Sequence, residues 1–245
     1  MISKRLGRVL DCLRKGLRGR PIPEPYDRYL NPPVRFRDGD WFANERLVEL
    51  PFIFSQIDMN GSGRHALEFG CTRSTLALQL ASLGYDVVGV DLRPYDLAHP
   101  NLSFFQGNLL ELDTAAEGSF DLVTAVSVIE HVGLGAYGEE SSETERARVI
   151  AKLVDLLRPG GKLIVTLPVG RPDVDDFERS FHPDEALDLF DHSRLERTAA
   201  RYFRRERWKS WQSCTVEEVA SVSNSRDDRG PTGVNGVGCF VWRKN

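Results

Sequence analysis

The run His65–Asp91, HALEFGCTRSTLALQLASLGYDVVGVD, constrains the fold of this chain more than any other stretch. His65 to Phe69 is a short apolar run that predicts a strand, ending at Glu68, Phe69 and Gly70. Gly70 can adopt backbone angles barred to other residues, so the chain can turn sharply there and leave its backbone open to a ligand. Ser74 and Thr75 open a helix whose apolar positions Leu76, Leu80 and Leu83 recur at helical spacing, and Gly84 closes it. Val87 to Val90 then reads as a buried parallel strand with Asp91 at its carboxyl edge. Asp91 lies 21 residues beyond Gly70, a spacing that suits an acid accepting hydrogen bonds from both ribose hydroxyls of a nucleoside laid over the turn.

The glycine turn narrows the choice of nucleoside. A dinucleotide wants G-x-G-x-x-G, because a pyrophosphate is held by several bare backbone amides at a helix N-terminus. Only Gly70 is present here, with Thr72 and Ser74 in the later positions. A ligand without phosphate needs one close backbone approach and acids for its amino-acid and ribose ends. Glu68-x-Gly70 followed by Asp91 resembles the first two motifs of class I S-adenosylmethionine-dependent methyltransferases.

Downstream residues extend that resemblance. Leu102 to Phe105 predicts a third strand, followed by Gln106-Gly107-Asn108. Phe120 to Ser127 predicts a fourth, buried on both faces, that leads into Ile129-Glu130-His131. Ser142-x-x-Glu145 reads as a capping box for a helix carrying Val149, Leu153, Leu156 and Leu157 inward. Leu157-Arg158-Pro159-Gly160-Gly161 then turns into a fifth apolar strand. A strand ending in Glu-His, then helix, L-R-P-G-G and strand, is similar to the order found in class I methyltransferases. The runs IEHVGLGAYGE, DLRPYDLAHPN and LPVG resemble a bacterial subfamily associated with polysaccharide and glycolipid biosynthesis. The general resemblance covers about residues 60–170.

That resemblance implies an α/β Rossmann-like fold: a mostly parallel seven-stranded sheet, its last strand antiparallel, with helices on both faces. It implies S-adenosyl-L-methionine as cofactor, bordered by Glu68, Gly70, Cys71, Asp91, Leu92, Asn108, Leu109 and Ser127. Glu68 would lie near the amino-acid end and Asn108 near adenine. His131 is the candidate catalytic base by residue type and place, with Glu130 beside it to orient it or meet the cofactor. Tyr137 and His182 are candidate substrate-binding residues, and the acceptor is a small molecule, a sugar or glycolipid intermediate. Two other readings stand beside this one. Glu130-His131-Val132-Gly133 with Tyr137 also resembles cyclopropane fatty acid synthases, and the missing glycines would suit a methyltransferase-like protein that only binds.

Composition bounds the rest. The 245 residues, 41% hydrophobic and 28% charged, suit one soluble α/β domain with short appendages. Cys12, Cys71, Cys214 and Cys239 form no C-x-x-C pair, so neither a disulfide framework nor a metal site is expected, and a cytoplasmic setting is. No apolar run reaches membrane-spanning length, and no signal peptide is evident. The net charge of −4 divides into +6 over residues 1–20 and −10 over the remainder. Residues 1–20 predict a basic amphipathic helix that could meet anionic lipid, a partner protein or its own domain. Pro21, Pro23, Pro25, Pro32 and Pro33 mark residues 21–42 as an extended arm or lid, and residues 43–245 as the domain.

Within that domain, Trp41 to Ile57 predicts a helix with Leu47, Leu50, Phe54 and Ile57 inward and a kink or restart at Pro51. Pro183-Asp184-Glu185 opens another helix, and Thr215-x-x-Glu218 caps a short one. Thr198–Trp208 and Val237–Trp242 predict the sixth and seventh strands. The basic stretch from Arg194 to Lys209 is interrupted by Glu196 and Glu206 in an acidic chain, which disfavours nucleic acid.

Overall fold

A computed structural model describes residues 34–37, 40–113, 115–135, 142–191, 193–206, 210–225 and 234–245, with the backbone alone for residues 34–42. The basic helix expected over residues 1–20, much of the arm at 21–42, and Tyr137 lie outside the described residues.

Two short strands, β1 (Val34–Arg37) and β2 (Asp40–Ala43), pair antiparallel. Helix α1 (Arg46–Gln56) follows, then the alternating core: β3 (His65–Phe69), α2 (Leu76–Ser82), β4 (Asp86–Asp91), β5 (Leu102–Gln106) and β6 (Phe120–Val126). Helix α3 (Glu143–Leu156) leads into β7 (Leu157–Pro168), and β8 (Asp173–Val174) and β9 (Arg179–Ser180) form a small hairpin. Helix α4 (Pro183–Asp188), β10 (Leu195–Glu206), β11 (Ser210–Cys214), α5 (Val216–Ala220) and β12 (Gly236–Lys244) complete the described elements.

The main sheet has the order β11-β10-β12-β7-β6-β3-β4-β5. Pairings from β7 through β5 are parallel, and β12 lies antiparallel between β7 and β10. The Rossmann-like plan is therefore as expected, with an eighth strand: β11 folds back antiparallel on β10 and takes the edge. Strand β10 also begins at Leu195, three residues before the expected start, because Leu195 to Arg197 find ladder partners in Trp242 to Lys244.

Strand side chains point to opposite faces, and helices cover each. Leu67, Val123, Leu163 and Val165 pack with Val149, Ile150, Leu153 and Val154 of α3 on one face. Ala66, Leu122 and Ile164 pack with Phe52 and Ile53 of α1 and with Leu76, Ala77, Leu80 and Ala81 of α2 on the other. Parallel strands buried on both sides read as near-continuous apolar runs, which is why they were visible in the sequence.

The helix expected from Trp41 begins later. Trp41 and Phe42 pair with Phe36 and Arg35 in the β1–β2 ladder, which satisfies their backbone, and the Asn44 side chain accepts the Arg46 N–H at 3.1 Å as the helix starts. The helix runs through Pro51. Its inward face also differs: Glu49, Phe52 and Ile53 are buried, Leu50, Phe54 and Ile57 pack at the margin, and Leu47 is exposed. The buried carboxylate of Glu49 sets that rotation.

Candidate active site

Strand order reverses between β3 and β6, the place where an open α/β sheet leaves a crevice at its strand carboxyl ends. A cleft of about 510 Å³ opens there, within the range of small-molecule sites. Gly70 forms its floor with φ +78°, and a Cβ at that position would lie 2.4 Å from Val128 Cγ2. Only glycine combines that angle with that approach. Thr72 and Ser74, standing where more glycines were sought, serve a tight turn in which the Ser74 N–H donates to Cys71 O at 3.0 Å. Arg73 takes the left-handed angle between them (φ +66°).

Asp91 stands at the end of β4, 7% exposed. Its Oδ2 accepts the Thr72 N–H at 2.8 Å and its Oδ1 accepts the Arg93 N–H at 3.0 Å. One carboxylate thus ties the turn after β3 to the loop after β4. Leu92, Asn108, Leu109, Ser127, Glu130 and His131 line the same cleft.

Glu68 and Cys71 are not among the lining residues; both are buried beneath it. Cys71 packs against Gly89, and burial pushes its thiol well above its ordinary range. Neither Glu68 oxygen has a hydrogen-bond partner among the described residues. Burial is the main cause that lifts its carboxyl to about 7; the neighbouring Ser74 hydroxyl and Ala77 amide oppose it without reaching bonding geometry. A folded-state value above the unfolded one means that the native state holds an extra proton between about pH 4.5 and 7. Stability from this group is full below that window and is lost as pH rises through it. Replacing Glu68 with Gln is therefore expected to raise stability at pH 8 by up to roughly 3 kcal/mol and to leave pH 4 nearly unchanged. Urea midpoints at the two pH values check this, and an equal change at both would refute it.

Asn108 lines the cleft, and its side chain makes two bonds of its own. Its Oδ1 accepts the Leu110 N–H at 3.0 Å, capping a single 3-10 turn, and its Nδ2 donates to Glu145 Oε1 at 3.0 Å. That bond takes the carboxylate expected to complete a capping box with Ser142, whose Oγ meets Thr144 Oγ1 at 3.0 Å instead. The box at Thr215 and Glu218 does form.

His131 sits in a 3-10 turn, Ile129–His131, braced by Arg146, whose Nη2 donates to Val132 O at 3.1 Å. The His131 Nδ1 lies 2.6 Å from Phe177 O, and the two rings are 4.5 Å apart. A carbonyl only accepts, so Nδ1 carries the proton and, in the neutral ring, Nε2 carries the lone pair. The turn that presents Phe177 is built by Asp175, whose Oδ1 accepts the N–H groups of Phe177 and Glu178, each at 2.8 Å. His182 is elsewhere: it caps α4, with Nδ1 accepting the Asp184 N–H at 3.4 Å, and it does not line the cleft.

Residues before β3 supply a wall that was not foreseen. Arg46 Nη1 meets Glu49 Oε2 at 2.5 Å, and Glu49 Oε1 accepts from Ser127 Oγ at 2.7 Å and Thr166 Oγ1 at 2.6 Å. This network holds Ser127 in a left-handed conformation, φ +47°, at the end of β6. Glu45 and Glu130 line the cleft beside Arg46 with little exposure, and burial pushes both carboxyls above their usual range. The Arg46-x-x-Glu49 spacing was visible in the sequence, but such pairs ordinarily decorate helix surfaces.

The fold and this cleft define a Rossmann-like domain with its crevice at the carboxyl ends of the central strands. Residues 67–165 match the family model described as a methyltransferase domain. A relative in Mycolicibacterium smegmatis, named "Probable S-adenosylmethionine-dependent methyltransferase", is 28% identical over 133 residues, 52% of this chain and 45% of that protein. The ubiquinone biosynthesis O-methyltransferase of Xanthomonas oryzae pv. oryzae is 30% identical over 129 residues, 49% of this chain and 48% of that protein. An S-adenosylmethionine-dependent methyltransferase from Mesorhizobium loti has a similar fold, with a TM-score of 0.53 at 13% identity over 80% of this chain and 97% of that one. Residues 67–165 are thus similar to a methyltransferase domain, set within a Rossmann-like fold. It spans about half the length of the curated relatives it matches. Among the described residues, no helix is long and apolar enough to cross a membrane.

Proposed function

We propose that the chain transfers a methyl group from S-adenosylmethionine to a small-molecule nucleophile, an oxygen on a sugar or glycolipid intermediate. One observation carries the reading: the bare Gly70 turn, the Asp91 carboxylate and the Glu130-His131 turn converge on one cleft. The ubiquinone relatives are named O-methyltransferases, which fits oxygen as the accepting atom. The acidic lining (Glu45, Glu130, Glu145, Glu178) suits an acceptor rich in hydroxyl donors. A glycolipid acceptor would bring the protein to an anionic membrane face, for which residues 1–20 supply positive charge.

The residues present fit that cofactor. Gly70 permits close approach to its backbone, Asp91 would accept from the ribose hydroxyls, and Asn108 and Leu109 would border the base. Arg46 is the cation in the wall suited to the cofactor's carboxylate, with Glu68 buried below. Bound there, S-adenosylmethionine supplies an electrophilic methyl group. Positioning and proton removal are then the protein's share. His131, its Nδ1 held by Phe177 O, offers Nε2 to the acceptor's hydroxyl proton.

Purified protein should bind S-adenosylhomocysteine with micromolar affinity, and labelled S-adenosylmethionine should then identify the acceptor in a screen of sugars and glycolipids. Replacing His131 with Gln is expected to lower turnover by about 10²–10⁴-fold, with S-adenosylhomocysteine affinity within about threefold of wild type. Retained turnover would remove His131 from proton transfer. Absence of cofactor binding by folded protein would favour a binding module on this scaffold.

A further inference from the structure

The hairpin of β8 and β9 is rooted in the fold at one end and set against the candidate base at the other. At the root, the Phe181 N–H donates to Pro168 O at 3.1 Å and the Gly170 N–H donates to Phe181 O at 2.9 Å. Asn224 Nδ2 donates to Ser180 Oγ at 2.8 Å beside them. The ladder itself holds two residue pairs, Asp173 with Ser180 and Val174 with Arg179. So short a hairpin is marginal by itself, and its tip needs another source of order. Asp175 supplies it. Its N–H donates to Glu178 O at 3.1 Å, and its Oδ1 accepts the N–H groups of both Phe177 and Glu178. That turn brings Phe177 and Glu178 into the cleft lining and sets Phe177 O at 2.6 Å from His131 Nδ1. Arg146 fixes the backbone on the other side, donating to the carbonyls of Ile129 and Val132. The His131 ring meets the hairpin tip twice, through Nδ1 and through its contact with the Phe177 ring.

We propose that Asp175 is a positioning residue for methyl transfer: by fixing the turn that presents Phe177 O, it holds His131 in the Nδ1–H tautomer and keeps the Nε2 lone pair for the acceptor's proton. The proposal rests on the methyltransferase reading above and extends it to a residue that does not itself line the cleft. In the transfer, the acceptor oxygen's lone pair forms the new bond to carbon, and the carbon–sulfur bond breaks with its electron pair passing to sulfur. The hydroxyl proton passes to Nε2. The imidazolium so formed keeps its Nδ1–H on Phe177 O, so one bond serves before and after the proton moves and the turn has nothing to reorganise. The opposite tautomer would put a proton on Nε2 and leave the ring unable to accept another there. It would also set the Nδ1 lone pair against a carbonyl oxygen that only accepts.

The test uses the full chain with its histidine rings labelled with nitrogen-15. Long-range proton–nitrogen spectra at about pH 8.5, where ordinary imidazole is neutral, report the tautomer of each ring, and the His131→Gln spectrum identifies the His131 signals. Wild type is expected to favour Nδ1–H over Nε2–H by about tenfold, the effect of one good hydrogen bond. In Asp175→Ala that ratio is expected to fall by about fivefold or more as the bond loosens. Asp175→Glu keeps the charge but carries it one methylene further from the two N–H groups; it should lower the ratio likewise and serves if the alanine variant does not fold. Asp175→Asn keeps an acceptor oxygen in place and should stay within about twofold of wild type. S-adenosylhomocysteine affinity, measured by calorimetry, should remain within about threefold of wild type in every variant, because Asp175 does not line the cleft. A wild-type His131 with its proton on Nε2, or a ratio that neither Asp175→Ala nor Asp175→Glu lowers, overturns the proposal and leaves the methyltransferase reading intact. Failure of wild type to bind S-adenosylmethionine or S-adenosylhomocysteine overturns both.

Discussion

Asp91→Ala is expected to weaken S-adenosylhomocysteine binding by at least about 100-fold while the protein remains folded. The side chain has two tasks. It offers a carboxylate at the end of β4, where ribose hydroxyls would be met, and it ties Thr72 N–H and Arg93 N–H together across the two loops that frame the cleft. Hydrogen bonds to a charged group are each worth about 1.5–3 kcal/mol. Losing two to the ligand would cost about 3–6 kcal/mol, or roughly 10²–10⁴ in affinity, and the untied turn adds to the loss. Asp91→Asn keeps one acceptor oxygen and should fall between alanine and wild type. Calorimetry reports the affinities, and circular dichroism confirms the fold. An alanine variant within tenfold of wild type would show that the nucleoside lies elsewhere.

Glu49→Ala is expected to lower global stability by about 3–5 kcal/mol, the cost of breaking a buried ion pair and leaving its partner behind. Glu49 is fully buried, and it joins α1 to the ends of β6 and β7 through Ser127 and Thr166. Without it, the Arg46 guanidinium, on a side chain only 14% exposed, loses its carboxylate, and two hydroxyls lose their acceptor. The left-handed Ser127 also loses the bond that holds it, so the cleft should change shape together with the stability. Glu49→Gln retains an acceptor for both hydroxyls and should cost less. Urea unfolding followed by tryptophan fluorescence measures both variants. A loss below about 1 kcal/mol for alanine would mean that α1 is seated by Phe52 and Ile53 alone.

Much of the fold and part of the site were legible because they depend on local pattern. The strand, glycine turn, helix and strand from His65 to Asp91 follow from apolar runs, helical spacing and the freedom of Gly70, all read within a few residues. The parallel core strands betray themselves by continuous apolar runs. Once the strand ends are known, Asp91, Asn108, Ser127, Glu130 and His131 must fall at the same edge of the sheet, which is where the cleft lies.

What escaped the sequence depends on partners far along the chain. Glu49 is buried because Ser127 and Thr166, 78 and 117 residues away, meet its carboxylate, and that meeting turns α1 away from its most apolar face. Glu145 abandons its own helix cap for Asn108, 37 residues distant, and His131 is set in one tautomer by a carbonyl 46 residues on. The eighth strand exists because β10 offers an unpaired edge once β12 has inserted on its other side. Residue spacing reports which face of an element is apolar; it does not report which buried polar group will find a hydrogen-bond partner. The sequence by itself determined the scaffold and the rim of the cleft, whereas the wall of acids and the setting of His131 were decided by tertiary hydrogen bonds, whose low-dielectric surroundings make every unmet polar group costly.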